Sequence, residues 1–189
     1  MEVTKANLAT YLAGLTPSAT PYQIEITETV ASDWGSSGWL SGTVGNIIKN
    51  NTPNGVYLDL GLTVIPNSVL SMYFTFYDCT ALTTAPIIPS SVTAMEGTFY
   101  GCTSLTTAPI IPSSVINMGY AFSGCTSLTT APVIPSSVTN MGYTFYGCTV
   151  LHTIQNFAVD VDNCIMTGAF GNCPALANIY VTTLSESSW

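Results

Sequence analysis

Residues 82–104 read LTTAPIIPSSVTAMEGTFYGCTS, residues 105–127 read LTTAPIIPSSVINMGYAFSGCTS, and residues 128–150 read LTTAPVIPSSVTNMGYTFYGCTV. The unit is 23 residues long, and its register extends upstream: Pro66, Val69, Met72, Phe76 and Cys79 recur one unit later as Pro89, Val92, Met95, Phe99 and Cys102. A fixed period of about 20–50 residues marks an architecture in which each unit carries an apolar face that only stacked neighbours can bury. The stretch therefore predicts an α/β solenoid.

Within a unit, Leu105, Ala108 and Ile110 follow the L-x-x-A-x-I spacing of a leucine-rich repeat strand, with a small residue in the middle. Pro112-Ser113-Ser114 turns the chain away from the sheet. Val115, Met118, Phe122 and Cys125 then recur at three- and four-residue spacing, as the buried side of a short helix or 3₁₀ turn would. Gly124 stands where such a turn ends and a positive φ is wanted. One coil is thus expected to hold one short parallel strand and one short helical turn.

Composition limits what such a stack can do. Only 6% of the 189 residues are charged, against about 25% in an average soluble protein. Mean hydropathy is +0.42 and apolar residues make up 47%, yet Pro, Gly, Ser and Thr interrupt every apolar run well short of the roughly 18 residues a membrane span needs. No Asp, Glu, Lys or Arg lies between Gly97 and Val159, so Ser, Thr, Asn and Tyr must supply the polar surface. The net charge of −8, with Lys5 and Lys49 as the only Lys or Arg, disfavours nucleic acid and anionic membranes, which call for basic clusters. No secretory leader is legible after Met1.

Residues 1–61 lack the repeat and read as an α+β N-terminal cap. Leu8, Tyr11, Leu12 and Leu15 predict an amphipathic helix over 7–15, ended by Thr16-Pro17. Residues 22–30 alternate as a strand, a Gly/Ser-rich loop carries Trp34 and Trp39, residues 43–50 form a second short helix, and 56–60 a strand. Of ten carboxylates, eight lie outside 62–150 and five of those in this segment, which suits an end that faces water. Beyond residues 62–175, the repeat region, residues 176–189 restart the strand pattern and are expected to close the far end.

The core L-T-T-A-x-I-x-P-S-S-V-T-x-M…F-x-G-C-T-S-L, over about 62–181, resembles the BspA-like leucine-rich repeats of bacterial surface proteins. The segments NLATYLAGLTPSATPYQIEI, VGNIIKNN and VYLDL are similar to the cap preceding such repeats. The resemblance implies an extracellular or surface-anchored protein that adheres to other macromolecules, and it fixes no binding residues by motif. Two features depart from it: Pro86, Pro109 and Pro132 stand inside the strand, and the arc from Met to Phe is one residue shorter than the common form.

Chemistry-bearing residues are few. Cys79, Cys102, Cys125, Cys148 and Cys173 hold one position per coil and read as a buried column, whereas Cys164 is off register and either pairs with nothing or is the one thiol open to a partner. No CxxC or flanking His supports a metal. His152, the only histidine, replaces the threonine of earlier coils and reads as a surface residue, since no nucleophile is written around it. Asp160 and Asp162 lack the Gly and distal Glu of a calcium loop, and no nucleotide motif occurs. No cofactor is implied.

What stands out is the threonine pair after each repeat leucine: Thr83-Thr84, Thr106-Thr107 and Thr129-Thr130, continued by His152-Thr153. Stacking makes these two hydroxyl rows, which either keep a sheet face soluble or form a binding surface. The expectation is a non-enzymatic surface or secreted module binding an extracellular protein or glycan through this face. The alternatives are a spacer that displays another domain and, with less support, a lattice-binding array of the ice-binding kind.

Overall fold

The computed structural model describes residues 1–27, 29, 31–34, 44–157, 159–160 and 162–181. Strand β1 (Glu2–Thr4) runs straight into helix α1 (Lys5–Ala13), which buries Leu8 and Leu12. The helix begins two residues before the expected boundary because β1 delivers the chain directly to it. It ends at Gly14, whose amide caps the Tyr11 carbonyl at 3.1 Å. The single strand expected over 22–30 is divided between two sheets: β2 (Tyr22–Gln23) pairs with β4 (Leu58–Asp59), and β3 (Glu25–Thr27) pairs parallel with β1. After a 3₁₀ turn at Ala31–Asp33 comes the buried Trp34, 6.1 Å from the Phe76 ring. Trp39 lies outside the described residues. Helix α2 (Val44–Asn51) then packs Val44, Gly45 and Ile48 inward.

The repeats form five coils, at 58–79, 82–102, 105–125, 128–148 and 151–173. Their equivalent residues stack into columns. Val69, Val92, Val115 and Val138 make one, Met72, Met95, Met118 and Met141 a second, and Leu82, Leu105, Leu128 and Leu151 a third; all are at most 2% exposed. Phe76, Phe99, Phe122, Phe145 and Phe170 stack with ring centroids 5.4–5.8 Å apart and planes within 15° of parallel.

Hydrogen bonds between coils sit mainly on the arc opposite the threonine pairs. From Met95 to Gly101 every second amide donates to the next coil: Met95 to Asn117, Gly97 to Gly119, Phe99 to Ala121 and Gly101 to Ser123, each at 2.8 Å. The amides of Thr98, Tyr100 and Cys102 instead close turns onto Met95, Gly97 and Phe99 in their own coil. The same four-bond set joins every consecutive pair of coils from the first to the fifth. Two backbone positions per coil are left-handed: Phe74, Gly97, Tyr120, Tyr143 and Gly168 at one, and Asp78, Gly101, Gly124, Gly147 and Asn172 at the other, all with φ between 49° and 75°. Asp, Asn and Gly are the residues that accept this conformation most readily; the aromatic occupants of the first position are held there by the ladder bonds on either side.

Three expectations about the coil are corrected. The helical turn does not form: a backbone with positive φ at two positions four residues apart cannot propagate a helix through them, so the arc is a run of turns. The strand is absent from the third and fourth coils, where single parallel bridges, Thr84 with Thr107 and Thr130 with Thr153, take its place. It persists as β5 (Leu82–Thr84) and β6 (Thr153–Phe157), the latter paired with β7 (Asn178–Val181). Proline limits the length of the strand without deciding its presence, since Pro86, Pro109 and Pro132 have no amide to donate: β5 stops two residues before Pro86, and the fifth coil, with Gln155 at that position, carries the five-residue strand. Third, Ile110 points outward and is 90% exposed, while Ile111 enters the core at 6%.

Candidate functional site

The threonine rows lie on the side of the stack opposite the ladder arc, in the short strand segments and their bridging equivalents. Thr106, Thr107, Thr129, Thr130 and His152 are exposed; Thr83, Thr84 and Thr153 are half-buried. Part of the first row is structural: the Thr83 hydroxyl donates to the Leu58 carbonyl at 2.8 Å and the Thr106 hydroxyl to the Thr83 carbonyl at 3.3 Å. The second serine of each Pro-Ser-Ser turn does similar work, with Ser91, Ser114 and Ser137 donating to Val69, Val92 and Val115 at 2.6–2.7 Å.

Backbone bonding along this side is uneven. The Thr106 amide donates to the Thr83 carbonyl at 3.1 Å, the His152 amide to Thr129 at 3.0 Å, and the Ala177 amide to His152 at 3.2 Å. Between the third and fourth coils, no backbone hydrogen bond joins residues 105–109 to residues 128–132. A cleft of about 320 Å³ opens there, lined by Thr106, Thr107, Ala108, Thr129, Thr130, Ala131 and Pro132. A second cleft, of about 370 Å³, lies between the second and third coils against Pro86, Ile87, Pro109 and Ile110.

Beside the threonines runs an aliphatic row that the sequence reading placed in the core. Val64, Ile87, Ile110 and Val133 are 55–90% exposed, and Val64 bridges Ile87 in parallel register. The readable sign was the doubled apolar residue before each proline, in IIP and VIP: two adjacent residues of an extended chain cannot both face one core.

The cysteine column is buried over four coils. Each thiol donates to a phenylalanine carbonyl of the preceding coil, as Cys102 does to Phe76, Cys125 to Phe99 and Cys148 to Phe122 at 3.1–3.2 Å, while Cys79 donates to Gly45 at 3.3 Å. Burial pushes Cys79 and Cys148 up to about 12 and Cys102 and Cys125 well above the usual thiol range. Cys173 departs from expectation: it bonds to the Phe145 carbonyl at 3.0 Å but is half-buried, like Cys164. Asp160 is held below its usual range by the Asn163 side chain and the Asp162 amide, in an exposed turn. Among the described residues no group of three or more His, Cys, Asp or Glu side chains is placed to hold a metal, and no helix is long and apolar enough to cross a membrane.

Coils with a 23-residue period, 25 into the last, stacked around columns of Leu, Val, Met and Phe define a leucine-rich repeat protein. The chain belongs to the BspA-type leucine-rich repeat family, whose model matches residues 71–187 in six copies. It is similar to a leucine-rich cell surface protein from Faecalibacterium prausnitzii A2-165, with 28% identity and a TM-score of 0.50 over 62% of this chain and 31% of that one. It is also similar to a leucine-rich repeat protein from Bacteroides ovatus ATCC 8483, with 24% identity and a TM-score of 0.49 over 66% of this chain and 31% of that one. The chain thus spans about a third of either protein's length. No curated protein matches it.

Proposed function

We propose that the chain is a non-enzymatic binding module of a bacterial cell-surface or secreted protein. In this reading it stacks as a solenoid, with residues 1–61 capping the first coil, 62–175 forming the repeat and 176–189 contributing the closing strand. Its threonine face, with Thr83, Thr84, Thr106, Thr107, Thr129, Thr130, His152 and Thr153, engages an extracellular protein or glycan. One observation carries the proposal: exposed hydroxyls and an exposed aliphatic row share one side of the stack, and no Asp, Glu, Lys or Arg occurs from Gly97 to Val159. Contiguous apolar surface of this kind is usually kept for a partner. The cell-surface description of the Faecalibacterium protein supports the location by analogy.

Recognition here rests on hydrogen bonds and apolar contact, so affinity should change little with salt. The experiment is a screen against matrix proteins and neutral glycans, repeated with Thr106→Lys/Thr129→Lys, which sets two cations in the face and leaves the buried Leu105 and Leu128 untouched. A ligand whose affinity survives the double substitution binds elsewhere and overturns the assignment. If no ligand binds in the screen, the display-spacer reading gains.

A further inference from the structure

We propose that the cleft between the third and fourth coils is a subsite for one neutral pyranose ring, the terminal sugar of an uncharged glycan; this rests on the threonine face being the binding surface. The opening is confined to one side of the interface. On the opposite arc the same two coils are fully joined, with Met118 donating to Asn140, Tyr120 to Gly142, Phe122 to Thr144 and Gly124 to Tyr146 at 2.8–2.9 Å. The cleft is therefore a local parting of a well-bonded pair of coils, at a place where the bond equivalent to Thr106–Thr83 and His152–Thr129 is missing.

The missing bond defines the ligand chemistry. The Thr129 amide and the Thr106 carbonyl, whose counterparts bond to each other between neighbouring coils, have no backbone partner here, and both residues line the cleft, so the backbone leaves a donor and an acceptor for a ligand. A hydroxyl can accept from the first and donate to the second at once, whereas a carboxylate or phosphate only accepts and an ammonium only donates. The hydroxyls of Thr107, Thr129 and Thr130 add further groups of the same mixed character. Ala131 and Pro132 supply an apolar wall for the C–H face of a sugar ring.

Charge and size narrow the choice. With no Lys or Arg in the repeats and a net charge of −8, nothing compensates the desolvation of an acidic sugar. The volume of about 320 Å³ is at the small end of the roughly 300–1,000 Å³ typical of ligand clefts, which suits one ring.

The test is an amide-resolved NMR titration of ¹⁵N-labelled protein with the methyl glycosides of glucose, galactose, mannose and N-acetylglucosamine, alongside N-acetylneuraminic acid. At least one neutral glycoside should shift the Thr129 and Thr130 amides saturably, with roughly millimolar affinity, and the acidic sugar should not. Thr107→Val/Thr130→Val, which removes hydroxyls at nearly constant shape, should weaken binding about tenfold or more. Thr139→Val, on another exposed column, should not, and unchanged remaining amides report that each variant is folded. No shift with any glycoside, shifts confined to other residues, or equal binding of the acidic sugar would overturn the inference. If sugars fail while a protein ligand is lost in Thr106→Lys/Thr129→Lys, the sugar subsite falls and the binding face stands.

Discussion

Gly45 in α2 lies flush against the carbonyl of Thr75, so that an added Cβ would sit 1.6 Å from that oxygen. The contact joins the N-terminal segment to the first coil. Two neighbouring bonds reinforce it, from the Thr75 hydroxyl to the Trp34 carbonyl at 2.6 Å and from the Cys79 thiol to the Gly45 carbonyl at 3.3 Å. Gly45→Ala must therefore push α2 off the coil. A loss of about 1–3 kcal/mol or more is expected in urea unfolding, with α2 amides losing exchange protection before those of the third coil.

The second left-handed column predicts a graded series at Gly124, where φ is 75° and an added Cβ would meet only Gly101 atoms at 3.6 Å or beyond. Gly124→Asn should be close to neutral, because Asn172 and Asp78 already adopt φ of 54° and 53° at the equivalent positions. Gly124→Val, β-branched in the same conformation, should lose about 1–3 kcal/mol. Thermal melts of the pair check this.

Phe122 is fully buried between Phe99 and Phe145, with ring centroids 5.4 and 5.5 Å away. Phe122→Ala should cost about 3–5 kcal/mol and broaden the melt, since each coil is held only by its neighbours. A single sharp transition at the parent temperature would contradict the stacking.

Thiol chemistry should divide the six cysteines in native protein. Cys164 and Cys173, both half-buried, react slowly with a disulfide reagent, and the four column thiols react only on unfolding. Raised native thiol pKa values leave stability flat below the unfolded value near 9 and make it fall as pH rises from there toward about 12. The native state holds protons that the unfolded chain releases in that window. Urea midpoints measured from neutral to strongly alkaline pH test the sign.

The Thr129 amide, unpaired with Thr106 in the backbone, should exchange with solvent much faster than the Thr106 and His152 amides on either side. Amide exchange in the free protein gives this directly, before any ligand is added.

The columns of Leu82, Val92, Met95, Phe99 and Cys102 were legible in the sequence because each occupies a fixed offset in a period that only stacking can satisfy. What escaped was local. Whether Ile110 or Ile111 faces the core depends on how Pro109 interrupts the alternation, and spacing alone does not encode that. The helical spacing of Val115, Met118 and Phe122 was real, yet a run of turns with two left-handed residues brings the same side chains inward. The threonine rows were readable as a surface. The cleft between Thr106 and Thr129 was not, since the third and fourth repeats are nearly identical in the residues that line it.

In the ladder, the Ala94 carbonyl and the Met95 amide belong to one peptide unit: the first accepts from Met72 at 2.9 Å and the second donates to Asn117 at 2.8 Å. The chain of peptides continues through Met118 and Asn140 to Met141 and Ile165, and three more such chains run beside it. Their dipoles, about 3.5 D each, point the same way and polarise one another. In these four chains every N–H is directed toward the C-terminal coils, so the ladder arc has a positive C-terminal end and a negative N-terminal end, the reverse of an α-helix, while the fewer amides that donate backward, such as those of Thr93, Thr106, Ile116 and Thr139, oppose it in part. The field favours a cation at the first coil, where Lys49 lies 3.3 Å from Asp78 and 4.4 Å from the centre of the Tyr77 ring, and carboxylates at the last coil, to which Asp160 and Asp162 belong.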